Sequence, residues 1–307
     1  MKKFFLVVIP LLFLACATKV PITWQKRIVE NQVKPLNLVY QEYGLKHNQT
    51  MLFLHGFGES KETWRFIVPA LAQKYHLILL DLKGFGVSPK TDDDKYSVYD
   101  QALYVKNFIE QHHLNHLTIV GRSFGGGVAL VLALMQTKKL MKSTLKKIVL
   151  IDSMAYNQSL PSMLRDLKTP LIGYLGIHLL SNHYMALEAY KYAFWNDDKI
   201  PKSSVDYSAS IMAQPMAKYA YLKTVHNLIP DDVQSIEHEY QKIKLPTLII
   251  WGRDDVSIHV DKAYRLHRDL KNSQLVILPR VGHMPQEEAP QKVVNAILKF
   301  MEEIPPH

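Results

Sequence analysis

The chain has 307 residues, of which 48% are hydrophobic, so it can bury a full core as one domain with an insertion. Its single cysteine excludes an intrachain disulfide. The net charge is +9, but the basic residues are scattered apart from one cluster between Lys138 and Lys147, and no motif indicates a nucleic-acid partner.

The first predicted element is a signal peptide over residues 1–15. Lys2 and Lys3 precede eleven mostly apolar residues, too few to cross a bilayer comfortably but enough for a signal-peptide core. Residues 14–16 resemble the lipobox of bacterial lipoproteins, which implies a lipidated Cys16, export and a membrane anchor in the cell envelope. Residues 15–17 also fit a cleavage site that would release a soluble periplasmic or secreted protein. A buried strand or an uncleaved anchor is a further alternative.

Strands and helices alternate along the next part of the chain. Residues 16–35 are expected to form a tether or an entry strand. Apolar runs and alternation predict strands, helical spacing predicts helices, and Ser60 is a candidate N-cap. The predicted strands are residues 36–43, 51–54, 77–80, 117–120 and 147–151, and the predicted helices are residues 62–75 and 96–114. This alternation predicts a mostly parallel sheet covered on both faces.

A strand–turn–helix segment at residues 117–133 carries the most informative motif. Gly121, Ser123 and Gly125 form a G-x-S-x-G turn, which can present a serine hydroxyl at a strand tip. Glycine is expected on both sides because a Cβ there would collide with the neighbouring strand or helix. The motif predicts that Ser123 is a nucleophile.

A nucleophilic serine needs a base and a carboxylate that orients the base. His283 follows a predicted strand at residues 275–278 and is the candidate base. Asp254 and Asp255 follow a predicted strand at residues 245–252, and either carboxylate could orient the imidazole, while Asp254 could instead cap the turn.

The loop at residues 55–60 is the candidate oxyanion hole. It is flanked by glycines and follows a strand, so its backbone N–H groups can point into a cleft. The expected donors are the N–H groups of Phe57 and Phe124. This chemistry requires no metal or organic cofactor, and the neighbouring His112, His113 and His116 are interpreted as surface residues because no cysteine or carboxylate set accompanies them.

The stretch at residues 156–243 breaks the alternation. It has helical apolar spacing without a clear strand, and it carries nine of the 16 tyrosines. Its aromatic and methionine side chains are suited to an adaptable apolar pocket wall, although most of them are expected to form the segment's own small core.

These motifs together resemble the α/β-hydrolase superfamily over residues 38–303. The order Ser123, Asp255, His283 is that of the family's triad, and residues 251–255 resemble its W-G-x-x-D motif, which favours Asp255 over Asp254. Residues 81–88 and 282–290 resemble its D-x-x-G-x-G-x-S and G-H-x-P-x-x-E-x-P segments. The resemblance implies a core of residues 36–155 and 244–304, and a helical cap of residues 156–243 between the family's sixth and seventh strands.

The expected function is therefore a serine hydrolase of carboxylic esters with apolar acyl chains. The pattern from His55 to Trp64 looks most like capped lipases and esterases, and the partners would be a small ester or lipid and, through Cys16, a membrane. A serine at position 123 argues against dehalogenase or epoxide-hydrolase chemistry. Thioesterase, C–C bond hydrolase and cofactor-free haloperoxidase remain alternatives, as does a membrane-tethered binding protein without turnover.

Overall fold

The computed structural model describes residues 23–303, which form one seven-stranded sheet. The strand order is β1-β3-β2-β4-β5-β6-β7, with β1 antiparallel to β3 and every other neighbouring pair parallel. The strands are β1 Tyr40–Tyr43, β2 Thr50–Leu54, β3 His76–Leu80, β4 Leu117–Arg122, β5 Leu145–Ile151, β6 Thr247–Gly252 and β7 Ser273–Leu278. The predicted α/β-hydrolase fold is confirmed.

Helices cover both faces of the sheet. Successive strand residues point to opposite faces, so Leu52 and Leu54 enter one buried cluster while Met51 and Phe53 enter the other. The first cluster is closed by α1 Trp24–Glu30, α3 Val98–Gln111, α4 Phe124–Thr137 and α11 Asp261–Asp269, and the second by α2 Val68–Leu71 and α13 Pro290–Glu302. A short helix, α12 Pro285–Glu288, precedes α13.

The insertion between β5 and β6 is entirely helical apart from its turns. Its helices are α5 Ser162–Lys168, α6 Pro170–Leu179, α7 Asn182–Ala193, α8 Lys202–Met212, α9 Ala217–His226 and α10 Val233–Glu237. We call this segment the cap. It lies between the fifth and sixth strands here because one strand fewer precedes it in the described residues than in the family's numbering.

Two elements near the start of the described chain differ from expectation. The segment expected to be a tether or entry strand contains α1, whose Trp24 and Ile28 are buried in the core. The strand expected at residues 36–43 is only four residues long. Its pairing with β3 begins at Tyr40, and the N–H of the preceding residue, Val39, donates to Ser88 Oγ at 2.8 Å.

The helix expected at residues 62–75 is also interrupted. A 3-10 turn, Lys61–Trp64, is followed by α2, which has Pro69 in its first turn. Proline has no N–H to continue an incoming helix, so the helix restarts there. The N-cap prediction is confirmed, since Ser60 Oγ accepts from Glu62 N at 3.2 Å.

The predicted signal peptide and Cys16 lie outside the described residues, so export and lipidation stay predictions. Within residues 23–303, no helix is long and apolar enough to cross a membrane.

Candidate active site

Three side chains meet at the edge of the sheet where the parallel strands end. Ser123 follows β4, Asp255 follows β6 and His283 follows β7. The carboxyl ends of parallel strands share one edge, which brings residues far apart in sequence together. All three side chains are buried, so water does not compete strongly for their hydrogen bonds.

Ser123 lies in a strained backbone conformation with φ of 50° and ψ of −117°. Two backbone hydrogen bonds hold this conformation: Ser123 N donates to Ile151 O at 2.9 Å, and Met154 N donates to Ser123 O at 2.9 Å. A Cβ on Gly125 would lie 2.2 Å from Leu54 O, and one on Gly121 would lie 2.5 Å from Gly125 O. The structure therefore supplies the steric reason for both glycines.

The three side chains form a continuous hydrogen-bonded chain. The Ser123 hydroxyl donates to His283 Nε2 at 3.0 Å, and His283 Nδ1–H donates to Asp255 Oδ2 at 2.6 Å. The other Asp255 oxygen accepts from the N–H groups of Ser257 and Ile258 at 2.7 and 3.0 Å. Asp254 is exposed, and its carboxylate accepts from Arg280 N at 2.8 Å. The structure thus places Asp255 on the imidazole and Asp254 in the turn.

Burial and charge set the protonation states of this chain. Burial lowers the pKa of His283, although the Asp255 carboxylate opposes that shift. Burial alone would raise the pKa of Asp255, but His283 together with hydrogen bonds from Ile258 N and Asp152 outweighs it, and the net shift is downward. A neutral imidazole beside an ionised carboxylate is the state in which His283 can accept the serine proton.

A second carboxyl group, Asp152, lies beside this chain at the end of β5. One carboxyl oxygen of Asp152, one of Asp255 and one ring nitrogen of His283 all lie within 4.8 Å of one another. Burial, and then the Asp255 carboxylate, raise the pKa of Asp152 well above its usual range, whereas the pKa of Asp255 is lowered, so Asp152 is the one of the two carboxyl groups that favours the protonated form. Asp152 Oδ1 accepts from Gly252 N at 2.9 Å, which fixes its position against β6.

Two free backbone donors lie near Ser123, one on the loop after β2 and one at the start of α4. Among the described residues, neither Phe57 N nor Phe124 N donates to another protein group, and Phe124 is the first residue of α4, where no intrahelical acceptor exists. His55 braces this loop, since it accepts from Leu82 N at 3.0 Å and contacts Gly56 O at 2.7 Å. Burial lowers the pKa of His55 to about 4, which keeps it neutral in this role.

Sequence reasoning missed Arg122, which lies at the end of β4 and joins the loops after β2 and β7. Its Nε and Nη2 donate to the carbonyl oxygen of His283 at 3.2 and 2.6 Å, and its guanidinium is paired with Glu59. Glu59 in turn accepts from Gly56 N at 3.2 Å. The signal in the sequence is a charged residue at the end of an otherwise apolar, buried strand.

The cap also holds the loop that carries His283. His283 N donates to Ala193 O at 2.6 Å, at the end of α7. The buried Glu288 carboxylate accepts from Gly282 N at 2.9 Å and from Trp195 N at 2.9 Å. On the other side of the site, the Tyr221 hydroxyl of α9 donates to Gly58 O at 2.8 Å.

A cavity of about 750 Å³ opens onto Ser123 and His283. Its walls are mainly cap side chains, including Met163, Ile172 and Met185. The large share of aliphatic and methionine surface suits an apolar ligand group rather than a charged one.

The Asp152, Asp255 and His283 group is the cluster in residues 23–303 whose atoms come close enough to hold a metal ion. Both ring nitrogens of His283 are already hydrogen-bonded, one to Asp255 and one to Ser123. A metal ligand must offer a free lone pair, so this arrangement fits acid–base chemistry better than coordination.

Known proteins with similar sequences or folds catalyse more than one reaction. Lipase 1 of Psychrobacter immobilis is 25% identical over 281 residues, covering 87% of this chain and 83% of that protein. The 2-hydroxy-6-oxo-6-(2'-aminophenyl)hexa-2,4-dienoic acid hydrolase of Metapseudomonas resinovorans is 26% identical over 259 residues, covering 82% and 84%. The structure of a bromoperoxidase from Bacillus anthracis superposes with a TM-score of 0.74 at 22% identity, covering 89% and 98%, and shows likeness of fold.

A family model described as the alpha/beta hydrolase fold matches residues 49–290, which include all three triad positions. The span exceeds half of the chain and takes in strands β2 to β7 and the cap. The chain belongs to the alpha/beta hydrolase fold family.

Proposed function

We propose that the protein is a serine hydrolase that cleaves carboxylic esters with apolar acyl chains through an acyl-enzyme on Ser123. The observation that carries the proposal is the unbroken hydrogen-bond chain from Ser123 through His283 to Asp255. It lies beside two free backbone donors, and such donors are positioned to bind a developing oxyanion.

The mechanism follows from the positions of these atoms. Ser123 Oγ attacks the ester carbonyl while His283 Nε2 takes its proton, and the Phe57 and Phe124 N–H groups stabilise the oxyanion. His283 then protonates the leaving alcohol, so the C–O bond breaks and the acyl group stays on Ser123. A water molecule, deprotonated by His283, attacks the acyl carbon, and the bond to Ser123 Oγ breaks as His283 returns the proton to that oxygen, which releases the carboxylic acid and restores the serine hydroxyl. Asp255 keeps the imidazole in the required tautomer and stabilises its charged form.

An apolar acyl group is favoured by the cavity rather than by the triad. The cavity is large enough for a chain of several carbons, and Met163, Ile172 and Met185 are among the side chains that line it. The lipase of Psychrobacter immobilis is a relative whose activity agrees with this substrate class.

The nucleophile is tested by Ser123→Ala. We expect hydrolysis of p-nitrophenyl butyrate to fall by roughly 10⁴-fold or more, because the acyl-enzyme cannot form. Labelling by a fluorophosphonate probe should disappear as well. Ser203→Ala, on the exposed side of α8, is the matched control and should retain both. Full activity in Ser123→Ala would overturn the proposal, and a wild-type chain that does not react with the probe would favour a binding protein without turnover.

C–C bond hydrolysis is the second candidate because the Metapseudomonas resinovorans relative is a hydrolase of a 2-hydroxy-6-oxo-hexa-2,4-dienoic acid, and such a vinylogous diketone is the kind of compound that this reaction would cleave. The two activities are distinguished by measuring kcat/KM for esters of increasing acyl length and for a vinylogous diketone. Preference for the diketone over every ester would replace the ester proposal, whereas a preference that rises with acyl length would support it.

A further inference from the structure

One helix of the cap exposes almost all of its apolar side chains. In α6, Gly173 and Ile177 are buried, whereas Leu171 and Leu179 are 69% and 77% exposed. No Asp, Glu, Lys or Arg occurs from residue 169 to residue 187. We call the exposed side chains of this region the cap patch: Leu171, Ile172, Tyr174, Leu175, Leu179, Leu180 and Tyr184.

The cap patch is continuous with the mouth of the active-site cavity. Ile172, Leu180 and Tyr184 are exposed and also line the cavity that reaches Ser123. Single exposed leucines are ordinary on protein surfaces, but seven large apolar side chains within fourteen residues form a surface that water disfavours. One side of α6 therefore faces the cavity and the other faces outward, with apolar side chains on both sides.

The chemistry around the patch identifies what would cover it. Exposed Arg165 and Lys168 lie immediately before α6, with one carboxylate, Asp166, between them. Cations beside an apolar helix that also carries tyrosines are typical of segments that lie in the interface of an anionic bilayer. A second copy of the chain seated on the patch would instead cover the entrance through which substrate reaches Ser123.

We propose that the cap patch docks on a bilayer containing anionic phospholipid and places the cavity mouth against the lipid, where ester substrates with long acyl chains reside. This inference rests on the proposed ester hydrolysis and adds the place from which the substrate is taken. Leu171 and Leu179 enter the acyl region, the tyrosines lie at headgroup level, and Arg165 and Lys168 contact the phosphates.

The docking is tested with a fluorescent probe at two positions of the full chain. Cys16 is the only cysteine, so Cys16→Ser allows a single NBD label to be attached at Leu179→Cys or, as a control, at Leu45→Cys. Leu45 is 71% exposed in the turn between β1 and β2, at the opposite edge of the sheet from the active site. Vesicles of phosphatidylcholine and phosphatidylglycerol should shift the emission of the 179 label to the blue and leave the 45 label unchanged.

Catalysis gives a second, independent measurement. The double variant Leu171→Glu, Leu179→Glu should hydrolyse a long-chain ester embedded in the same vesicles roughly tenfold more slowly or worse, since two leucines that enter the lipid are replaced by charges. Neither residue lines the cavity, so hydrolysis of soluble p-nitrophenyl butyrate should be unchanged. Leu45→Glu, as the matched control, should leave both rates unchanged.

The outcomes separate the docking from the proposed function. The docking is overturned if vesicles do not change the emission of the label at position 179. It is also overturned if that emission changes with protein concentration in the absence of lipid, which would indicate a second copy of the chain on the patch. Equal responses at positions 45 and 179 overturn it as well. In all three cases, normal hydrolysis of the soluble ester leaves the proposed function intact, whereas a wild-type chain that hydrolyses neither ester would contradict that function itself.

Discussion

The sheet edge and the cap differ in how tightly their residues are held. At the sheet edge, Ser123, Asp255 and His283 are buried, and each follows a strand of the sheet. In the cap, α5 has no buried residue and α6 has only two, and the cavity walls are largely flexible apolar side chains. The comparison indicates that the chemistry depends on rigid packing, whereas the shape of the ligand site can adapt.

The two regions are nevertheless connected through hydrogen bonds. Ala193 O at the end of α7 accepts from His283 N, and Tyr221 of α9 donates to Gly58 O in the loop after β2. The cap therefore supports the sheet-edge loops from above while leaving its own outer surface exposed. A change in the hydrogen-bonded series Ser123, His283 and Asp255 should accordingly have a larger effect on hydrolysis than a change in the cap side chains that line the cavity.

The largest expected effect comes from comparing Asp255→Asn with Asp254→Asn. The amide in Asp255→Asn lacks the charge that stabilises the imidazolium and favours the wrong tautomer, so kcat should fall by ~10³–10⁴-fold. Asp254 is exposed and bonds only to a turn N–H, so its variant should change kcat by less than about tenfold. The measurement is kcat on p-nitrophenyl butyrate for both purified variants. Equal losses would show that the orienting carboxylate has been misassigned.

Substitution of one glycine at the sheet edge and one in the cap compares how tightly the two regions are packed. In Gly125→Ala the new Cβ would lie 2.2 Å from Leu54 O, so the free energy of unfolding should fall by about 2–4 kcal/mol. In Gly176→Ala, within α6, no atom lies within 4 Å of the new Cβ. Because alanine is a better helix former than glycine, the free energy of unfolding should rise by up to about 1 kcal/mol. Urea denaturation of both variants measures the difference. A tolerated Gly125→Ala would contradict the tight packing of the Ser123 turn.

Much of the fold was predictable because its determinants are local. Glycines around Ser123 and apolar runs before each site loop follow from sterics and burial that a short window of sequence contains, and the predicted fold was confirmed. The expected places of Phe57, Phe124 and the triad residues at strand ends also follow from the carboxyl edge of a parallel sheet. Their catalytic roles stay predictions until activity is measured.

Other features depend on contacts that no local pattern contains. From residue chemistry alone Asp254 and Asp255 are equivalent, and Asp255 was favoured only through the resemblance of residues 251–255 to a family motif; the path of the chain is what brings Asp255 to His283. Asp152 became part of the site because β5 lies beside β6 in the sheet. Residues 24–30 formed a helix rather than a strand because Trp24 and Ile28, four positions apart, find a pocket on the core.

Arg122 provides the sharpest test of how rigidly the sheet edge holds the base. Its two bonds to His283 O orient the loop, and its positive charge contributes to lowering the pKa of His283, together with burial and against Asp255. Arg122→Lys keeps the positive charge but loses the planar guanidinium that donates two hydrogen bonds to His283 O, and Arg122→Gln loses both the charge and the guanidinium. Both variants should lower kcat by roughly tenfold, because a displaced base transfers the serine proton less efficiently.

Only Arg122→Gln should also change the pH dependence. His283 must be neutral to accept a proton, so the acidic limb of kcat/KM reports its pKa. Removing the cation stabilises the imidazolium, raises the pKa of His283 and moves that limb to higher pH, whereas Arg122→Lys leaves it near the wild-type position. The charged groups that act on the ring are Asp255 and Arg122. Glu59 is paired to Arg122, and burial together with Asp255 raises the pKa of Asp152, which favours its neutral form. An unchanged profile in Arg122→Gln, with the same loss of rate, would assign Arg122 a purely mechanical role in holding the His283 loop.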